Sequence, residues 1–210
     1  MLFLIMKKVI LGATGSIGSS LAKKLVDSGE QVHLVGRDEA SLSELANELN
    51  STFTTCDVLE ENFSEKIIND LKDEQVNGLA YCVGSIDLKP LKLTKKSDFM
   101  QSFNLNLVSA TEIIKSLADN LKASKGSIVL FSTVAVQQGF PNHAIVSSAK
   151  GAVEGLTLAL AAEYAPNIRV NCIAPSLTNS KISNFLLKNE KMAESLSLIH
   201  ISEPTRPMNI

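Results

Sequence analysis

Seven consecutive residues near the start of the chain, Gly12-Ala13-Thr14-Gly15-Ser16-Ile17-Gly18, have the types and spacing that can hold a phosphate. They follow a short apolar run, Val9-Ile10-Leu11, and lead into a segment of helical periodicity. At a strand-to-helix junction the first helical N–H groups lack partners and the helix dipole presents its positive end, so an anion is stabilised there. Gly12 permits the tight turn, Gly15 lets the backbone approach a phosphate, and Gly18 lets helix and strand pack closely. Gly12, Thr14, Gly15, Ser16, Ile17 and Gly18 are therefore the expected contacts to the phosphates of a dinucleotide. Glycines alone also make ordinary turns; the position of this loop is what points to a nucleotide. A second signal follows the next apolar run, where Gly36-Arg37-Asp38 stands at the place that reads an adenosine ribose. An acidic side chain there accepts from the ribose hydroxyls, whereas an arginine favours a 2′-phosphate. Arg37 comes first, so NADP is expected over NAD. The other reading is a solvated Arg37 with Asp38 as the ribose ligand of NAD.

Other chemistries lack their residues. Cys56, Cys82 and Cys172 form no CxxC pair and no cluster with histidine, so no metal site and no disulfide framework is expected, and a reducing cytoplasm is the expected compartment. The chain has 20 Lys and Arg against 22 Asp and Glu, a net charge of −2, which gives no basic excess for nucleic acid. No apolar run approaches the ~18–20 residues of a membrane span, so no membrane partner is expected.

The elements that must position these residues alternate along the chain. Apolar runs at 9–11, 32–35, 53–56, 79–83, 127–131 and 169–173 read as strands. Helical patterns are expected over 16–28, 41–49, 63–71, 99–121, 147–164 and, more weakly, 182–195. Ile17, Leu21 and Leu25 make one helix face, and Leu42, Leu45 and Leu49 another. Strand–helix alternation with continuous apolar strands implies an α/β fold with a parallel, doubly wound sheet covered on both faces. Its ligand crevice lies beyond the carboxyl ends of the strands. With 210 residues one domain is expected, over 6–195.

Both ends read as foreign to that domain. Met1-Leu2-Phe3-Leu4-Ile5 is too short an apolar stretch for a signal peptide, and its lysines follow it, so Met6 is the expected start. Leu196-Ser197-Leu198-Ile199-His200-Ile201-Ser202-Glu203-Pro204-Thr205-Arg206 resembles a translated sequencing adapter. The expectation is a non-native tail over 196–210, a natural frame cut near Ser195 and a sheet that lacks its last strand.

The second half carries a more specific pattern. Phe131-Ser132-Thr133, Gly139-Phe140-Pro141, Ala149-Lys150-Gly151-Ala152-Val153-Glu154-Gly155-Leu156 and Ile168-Arg169-Val170-Asn171-Cys172-Ile173-Ala174-Pro175 together resemble the short-chain dehydrogenase/reductase family, from about residue 7 to 184. The resemblance implies a Rossmann-type fold and hydride transfer between a nicotinamide and a carbonyl or alcohol carbon of a small molecule. It implies that Lys150 binds the nicotinamide ribose, that Asn106 supports a water and that lysine, and that Thr133 polarises the substrate oxygen. Asp57 and Val58 match the pair beside the adenine. Val83 and Gly84 match the segment after the fourth strand, and Pro175 and Ser176 the segment lining the nicotinamide, with Ser176 in place of the usual glycine. The helices at 99–121 and 147–164 match those through which members form homodimers and homotetramers.

Three positions depart from the family pattern. Ser16 takes the place of the usual second glycine, with Gly15 displaced by one. Tyr81-Cys82-Val83-Gly84 replaces Asn-Asn-Ala-Gly. Val146 stands four residues before Lys150, where the YxxxK motif requires the catalytic tyrosine. His143, three residues earlier, offers an imidazole able to pass a proton near neutral pH, against a plain reading as a solvent-facing loop histidine. Ser147 is expected to cap its helix or face solvent, Tyr164 to pack, and His33 to be structural. Two functions follow: an NADP(H)-dependent oxidoreductase with an altered proton donor, or a catalytically impaired NAD(P)-binding protein acting as a sensor or assembly partner.

Overall fold

A computed structural model describes residues 6–72 and 74–176. Six strands, β1 (Met6–Leu11), β2 (Gln31–Gly36), β3 (Thr52–Thr55), β4 (Gln75–Tyr81), β5 (Ser127–Phe131) and β6 (Arg169–Ile173), form one sheet in the order β3-β2-β1-β4-β5-β6. Every pairing is parallel. This is the Rossmann-type doubly wound sheet expected from the alternation. Its direction of growth reverses between β1 and β4, so the crevice opens beyond Leu11 and Tyr81.

Successive β1 side chains explain the two layers of core. Val9 and Leu11 join a cluster that includes Phe63, Ile67, Ile113, Leu117, Ile128 and Val153. Ile10 faces the other way, onto Ala22, Leu34, Leu42 and Leu45. Burial on both faces is what makes these strands read as unbroken apolar runs. β1 begins three residues earlier than the apolar run suggests because Lys7 is buried at 6% exposure, its ammonium bonded to Thr52 Oγ1 at 2.8 Å and paired with Glu74 at 2.5 Å.

The first half of the helical layer follows expectation: α1 (Ser16–Asp27), α2 (Glu39–Leu49) and α3 (Phe63–Leu71). The second half corrects it. The single helix expected at 99–121 is three pieces: α4 (Lys96–Phe103), a π turn (Asn104–Val108) and α5 (Ser109–Ala123). A short α6 (Ala135–Gln138) and a 3₁₀ turn (Leu91–Leu93) were not foreseen, being too short to show a period. Finally, α7 (Ala144–Tyr164) starts before residue 147, with His143 as its N-cap.

By length and composition α7, with 21 residues and a mean hydropathy of 1.3, is long and apolar enough to cross a bilayer, although Lys150 and Glu154 interrupt its apolar run. In this fold its buried stripe, Ile145, Val146, Ala149, Lys150, Val153 and Thr157, is covered by the rest of the protein. The expected helix at 182–195, the tail at 196–210 and Met1–Ile5 lie outside the described residues.

Candidate active site

At the end of β1 the backbone turns with Gly12 at φ +73°, and a Cβ there would stand 3.0 Å from the Cys82 carbonyl group. Gly15 N–H donates to the Gly12 carbonyl at 3.0 Å and closes the turn. A Cβ on Gly18 would lie 2.3 Å from that same carbonyl oxygen, so α1 can approach β1 this closely only with glycine there. α1 starts at Ser16 with no side-chain cap and no acidic residue in its first turn. Its leading N–H groups, of Ser16, Ile17 and Gly18, are left for a ligand, and the exposed Gly15 adds no side chain in front of them. Thr14 Oγ1 lies 3.6 Å from where a Gly36 Cβ would be, which brings the loop to the end of β2.

Beyond Gly36 the two ribose-reading candidates part. Asp38 is the N-cap of α2, its Oδ1 accepting from Ser41 N at 2.7 Å. The Arg37 side chain is 74% exposed and makes a long contact, 3.4 Å, to Asp57 Oδ2 at the end of β3. An exposed ion pair of that length holds the guanidinium weakly. Asp57 Oδ1 also accepts from Leu59 N at 3.0 Å, and Val58 is buried beside it.

On the other side of the switch point, Cys82 N donates to the Leu11 carbonyl at 2.9 Å and carries the chain into Val83 and Gly84. A Cβ on Gly84 would meet Asn106 Oδ1 at 3.1 Å and Lys150 Nζ at 3.2 Å, so both polar groups converge on this glycine. Asn106 sits in the π turn at 1% exposure. Its Nδ2 donates to the Ser102 carbonyl at 2.8 Å, which leaves the buried Oδ1 without a partner. Burial pulls the Lys150 ammonium down to about 8, with the thiols of Cys172 and Cys82 opposing that shift. An orphaned buried oxygen beside a buried lysine fits a polar ligand carrying hydroxyl groups.

Thr133 stands between two rungs that tie β5 to the segment after β6: Ser132 N donates to Ile173 O at 2.8 Å and Val134 N to Pro175 O at 3.3 Å. Thr133 Oγ1 accepts from Ala135 N at 3.3 Å, so its hydroxyl hydrogen can be donated elsewhere. Ser147 donates to the Ala135 carbonyl at 3.1 Å and fastens the start of α7 to α6; it is part-buried and does not cap the helix, whose N-cap is His143. Val146 is 5% exposed. His143 keeps local company: its Nδ1 lies 2.8 Å from the Pro141 carbonyl and its ring 5.3 Å from that of Phe140.

Comparison with known proteins accords with this geometry. A family model described as Enoyl-(Acyl carrier protein) reductase matches residues 12–208. A tropinone reductase homolog of Arabidopsis thaliana is 34% identical over 197 residues, covering 89% of this chain and 75% of the relative. The chain belongs to the short-chain dehydrogenase/reductase family. An L-fucose dehydrogenase of Oryctolagus cuniculus is 33% identical over 172 residues, and this chain spans 61% of that protein's length. Among solved structures, a gluconate 5-dehydrogenase candidate from Beutenbergia cavernae superposes with a TM-score of 0.86 at 24% identity, covering 93% of this chain and 82% of the other. Membership in this family makes the chain an oxidoreductase of the NAD(P)-dependent kind.

Within that family frame, the structure gathers Gly12, Val83, Gly84, Asn106 and Lys150 along one edge of the crevice and sets Thr133 next to Pro175. The described contacts of His143 reach none of them. Sequence reasoning missed two supports. Ser132 Oγ donates to Glu154 Oε1 at 2.5 Å, which fastens the end of β5 to α7 one turn beyond Lys150. Tyr81 Oη donates to the Leu105 carbonyl inside the π turn at 2.7 Å. The identity of residue 81 was visible as a departure from the family pattern, but nothing in a string of residues tells where a phenol will reach.

Proposed function

We propose that this protein is an NADP(H)-dependent reductase or dehydrogenase of small carbonyl or alcohol compounds, with proton delivery altered from the family pattern. The observation that carries the reading is the convergence of Lys150 and Asn106 on Gly84, a short step along the crevice from an uncapped helix N-terminus. The leading amides of α1, with Gly12, Thr14 and Gly15, would hold the pyrophosphate, and Asp57 and Val58 would flank the adenine. Arg37 would take a 2′-phosphate, because Asp38 already serves α2 as its cap. The Lys150 ammonium would hold the nicotinamide ribose, with Val83, Gly84, Pro175 and Ser176 lining the ring. When bound, the nicotinamide supplies or accepts the hydride.

The chain's own residues must then manage charge on the substrate oxygen. Thr133 can donate its hydroxyl hydrogen to that oxygen, and Lys150 adds a positive potential beside it. Val146 has no proton to give. Positioned acid–base catalysis contributes roughly 10²–10⁴-fold, about 3–5 kcal/mol of barrier, so orientation and polarisation must carry more of the reaction here. His143 is the proposed substitute donor. With its Nδ1–H directed at the Pro141 carbonyl, Nε2 is the nitrogen that would exchange a proton with substrate or solvent.

Calorimetry with each pyridine nucleotide, followed by NADPH oxidation against a panel of activated ketones and quinones, tests this reading. Expected are tighter binding of NADPH than of NADH, loss of that preference in Arg37→Ala, and slow turnover that Val146→Tyr raises by roughly 10²-fold or more. Absence of binding by either nucleotide overturns the proposal. Tight NADPH binding with no turnover, in Val146→Tyr as well, selects the cofactor-binding protein without dehydrogenase activity. The family's helix-mediated assembly and the three free thiols support a homo-oligomer in a reducing, cytoplasmic setting.

A further inference from the structure

The π turn between α4 and α5 breaks the regular helical ladder. Where N–H groups reach back five residues instead of four, carbonyls lose their partners. Two side chains bond carbonyls of this turn. Tyr81 Oη donates to the Leu105 carbonyl at 2.7 Å, and Ser109 Oγ donates at 2.8 Å to the Asn104 carbonyl, which already accepts the five-residue bond from Ser109 N–H. Tyr81 is the last residue of β4, at 2% exposure, so its ring is fixed by the core, and its hydroxyl reaches the Leu105 carbonyl and the Ser109 side chain. Burial raises the phenol's pKa, which keeps it a donor across the working range.

The residue between these two supports is Asn106. Its amide orientation is already decided, because Nδ2 donates to Ser102 and Oδ1 must therefore face Gly84 and Lys150. An α-helix turns about 100° per residue, so closing the π turn by one residue would swing that oxygen away from the crevice. We propose that Tyr81 is a positioning residue whose hydroxyl holds the π turn open and so keeps Asn106 Oδ1 directed at Lys150. The proposal deepens the oxidoreductase reading of this site and rests on it for its functional meaning. Phenylalanine at position 81 would preserve the buried ring yet leave the Leu105 carbonyl unpaired in the interior, where an unmade hydrogen bond favours rearrangement of the turn.

The test is a double-mutant cycle read on Lys150, without cofactor or turnover. Lysine labelled with ¹³C at Cε reports ionisation by NMR, and the Lys150 signal is the one missing in Lys150→Met. The titratable groups facing this ammonium are Cys82, after β4, and Cys172, in β6; burial raises both thiols, Cys82 to about 12, above the range to be scanned. Asn106→Ala is expected to move the Lys150 midpoint to lower pH, by roughly half a unit or more, because a carbonyl dipole favouring the ammonium is lost. Tyr81→Phe is expected to move it in the same direction, and the double variant no further than Asn106→Ala alone. Ser109→Ala, which removes the second support, repeats the test should Tyr81→Phe fail to fold. An unmoved Lys150 midpoint in the folded Tyr81→Phe or Ser109→Ala protein overturns the proposal, as do shifts that add in full to that of Asn106→Ala. Failure of the oxidoreductase reading would show separately, as absence of nucleotide binding in the unmutated protein.

Discussion

Lys150 is buried among Asn106, Gly84 and two thiols, and forms no ion pair among the described residues. Such a position is maintained against stability. An ammonium that titrates near 8 when folded and near 10.5 when free costs about 3 kcal/mol while it stays charged, at ~1.4 kcal/mol per unit. The sign follows from the direction of the shift. Below pH 8 both states hold the proton and the full cost is present; between 8 and 10.5 only the unfolded state holds it, so stability rises with pH. Lys150→Met is accordingly expected to raise the stability of the cofactor-free protein by about 3 kcal/mol at pH 7, with the gain shrinking toward pH 10.5. Denaturant unfolding at both pH values measures this, and a variant no more stable than the parent at pH 7 would remove the case for a buried charge. The same substitution should weaken nucleotide binding. A residue that costs stability where it stands and supports binding is held there for function.

At the scale of elements, the sharpest local argument runs across β1, β2 and β3, away from the crevice. Asp70 accepts from the Thr54 hydroxyl at 2.6 Å, so Thr54 must accept from His33 Nε2 at 2.9 Å. His33 Nδ1 then accepts from Thr52 at 2.8 Å, and Thr52 accepts from the Lys7 ammonium. This chain has one direction and suits only the neutral imidazole. Burial, reinforced by Lys7, lowers His33 to about 4, against the pull of Asp70 and Glu74. Stability is thus intact above pH 6.5 and is lost as pH falls toward 4, because the unfolded histidine takes up its proton first. His33 should account for about 3 kcal/mol of that loss. Unfolding curves at pH 7 and pH 4 for the parent and His33→Gln isolate the term, since the carboxylates titrate in both; parallel losses in the two proteins would exclude it. Reading His33 as structural was within reach of the sequence, but the relay was not, because it joins residues from four separate elements. The same limit explains the π turn. Residues 99–121 keep helical spacing throughout, and the interruption is made by Tyr81, an 18-residue stretch away at its nearest. The phosphate loop was legible because its three glycines act on one another within seven residues, Gly18 against Gly12 above all.

For the whole molecule, strand order and two-sided burial follow from alternation and handedness, which is why the doubly wound sheet could be foreseen while helix ends could not. Among the described residues, the outward side of α7 is left exposed. Gly155, Leu158, Ala159 and Ala162 lie on an exposed stripe at i, i+3, i+4 and i+7, with Leu158 at 75% exposure. Met100 in α4 and Val108 in the π turn are also exposed, at 52% and 41%. Small residues beside a bare leucine let two helices approach closely, and a stripe of this kind buries well against its own symmetry copy. A charge introduced at its centre would be desolvated without a partner on association, at a cost of several kcal/mol. Leu158→Glu is therefore expected to reduce the mass seen by light scattering behind gel filtration toward that of one chain. Nucleotide binding should persist, because residue 158 lies two turns along α7 from Lys150 and its side chain is exposed. An unchanged oligomer would place the interface on another face. A parent protein that runs as a monomer would remove the expectation of assembly and leave the apolar stripe to water.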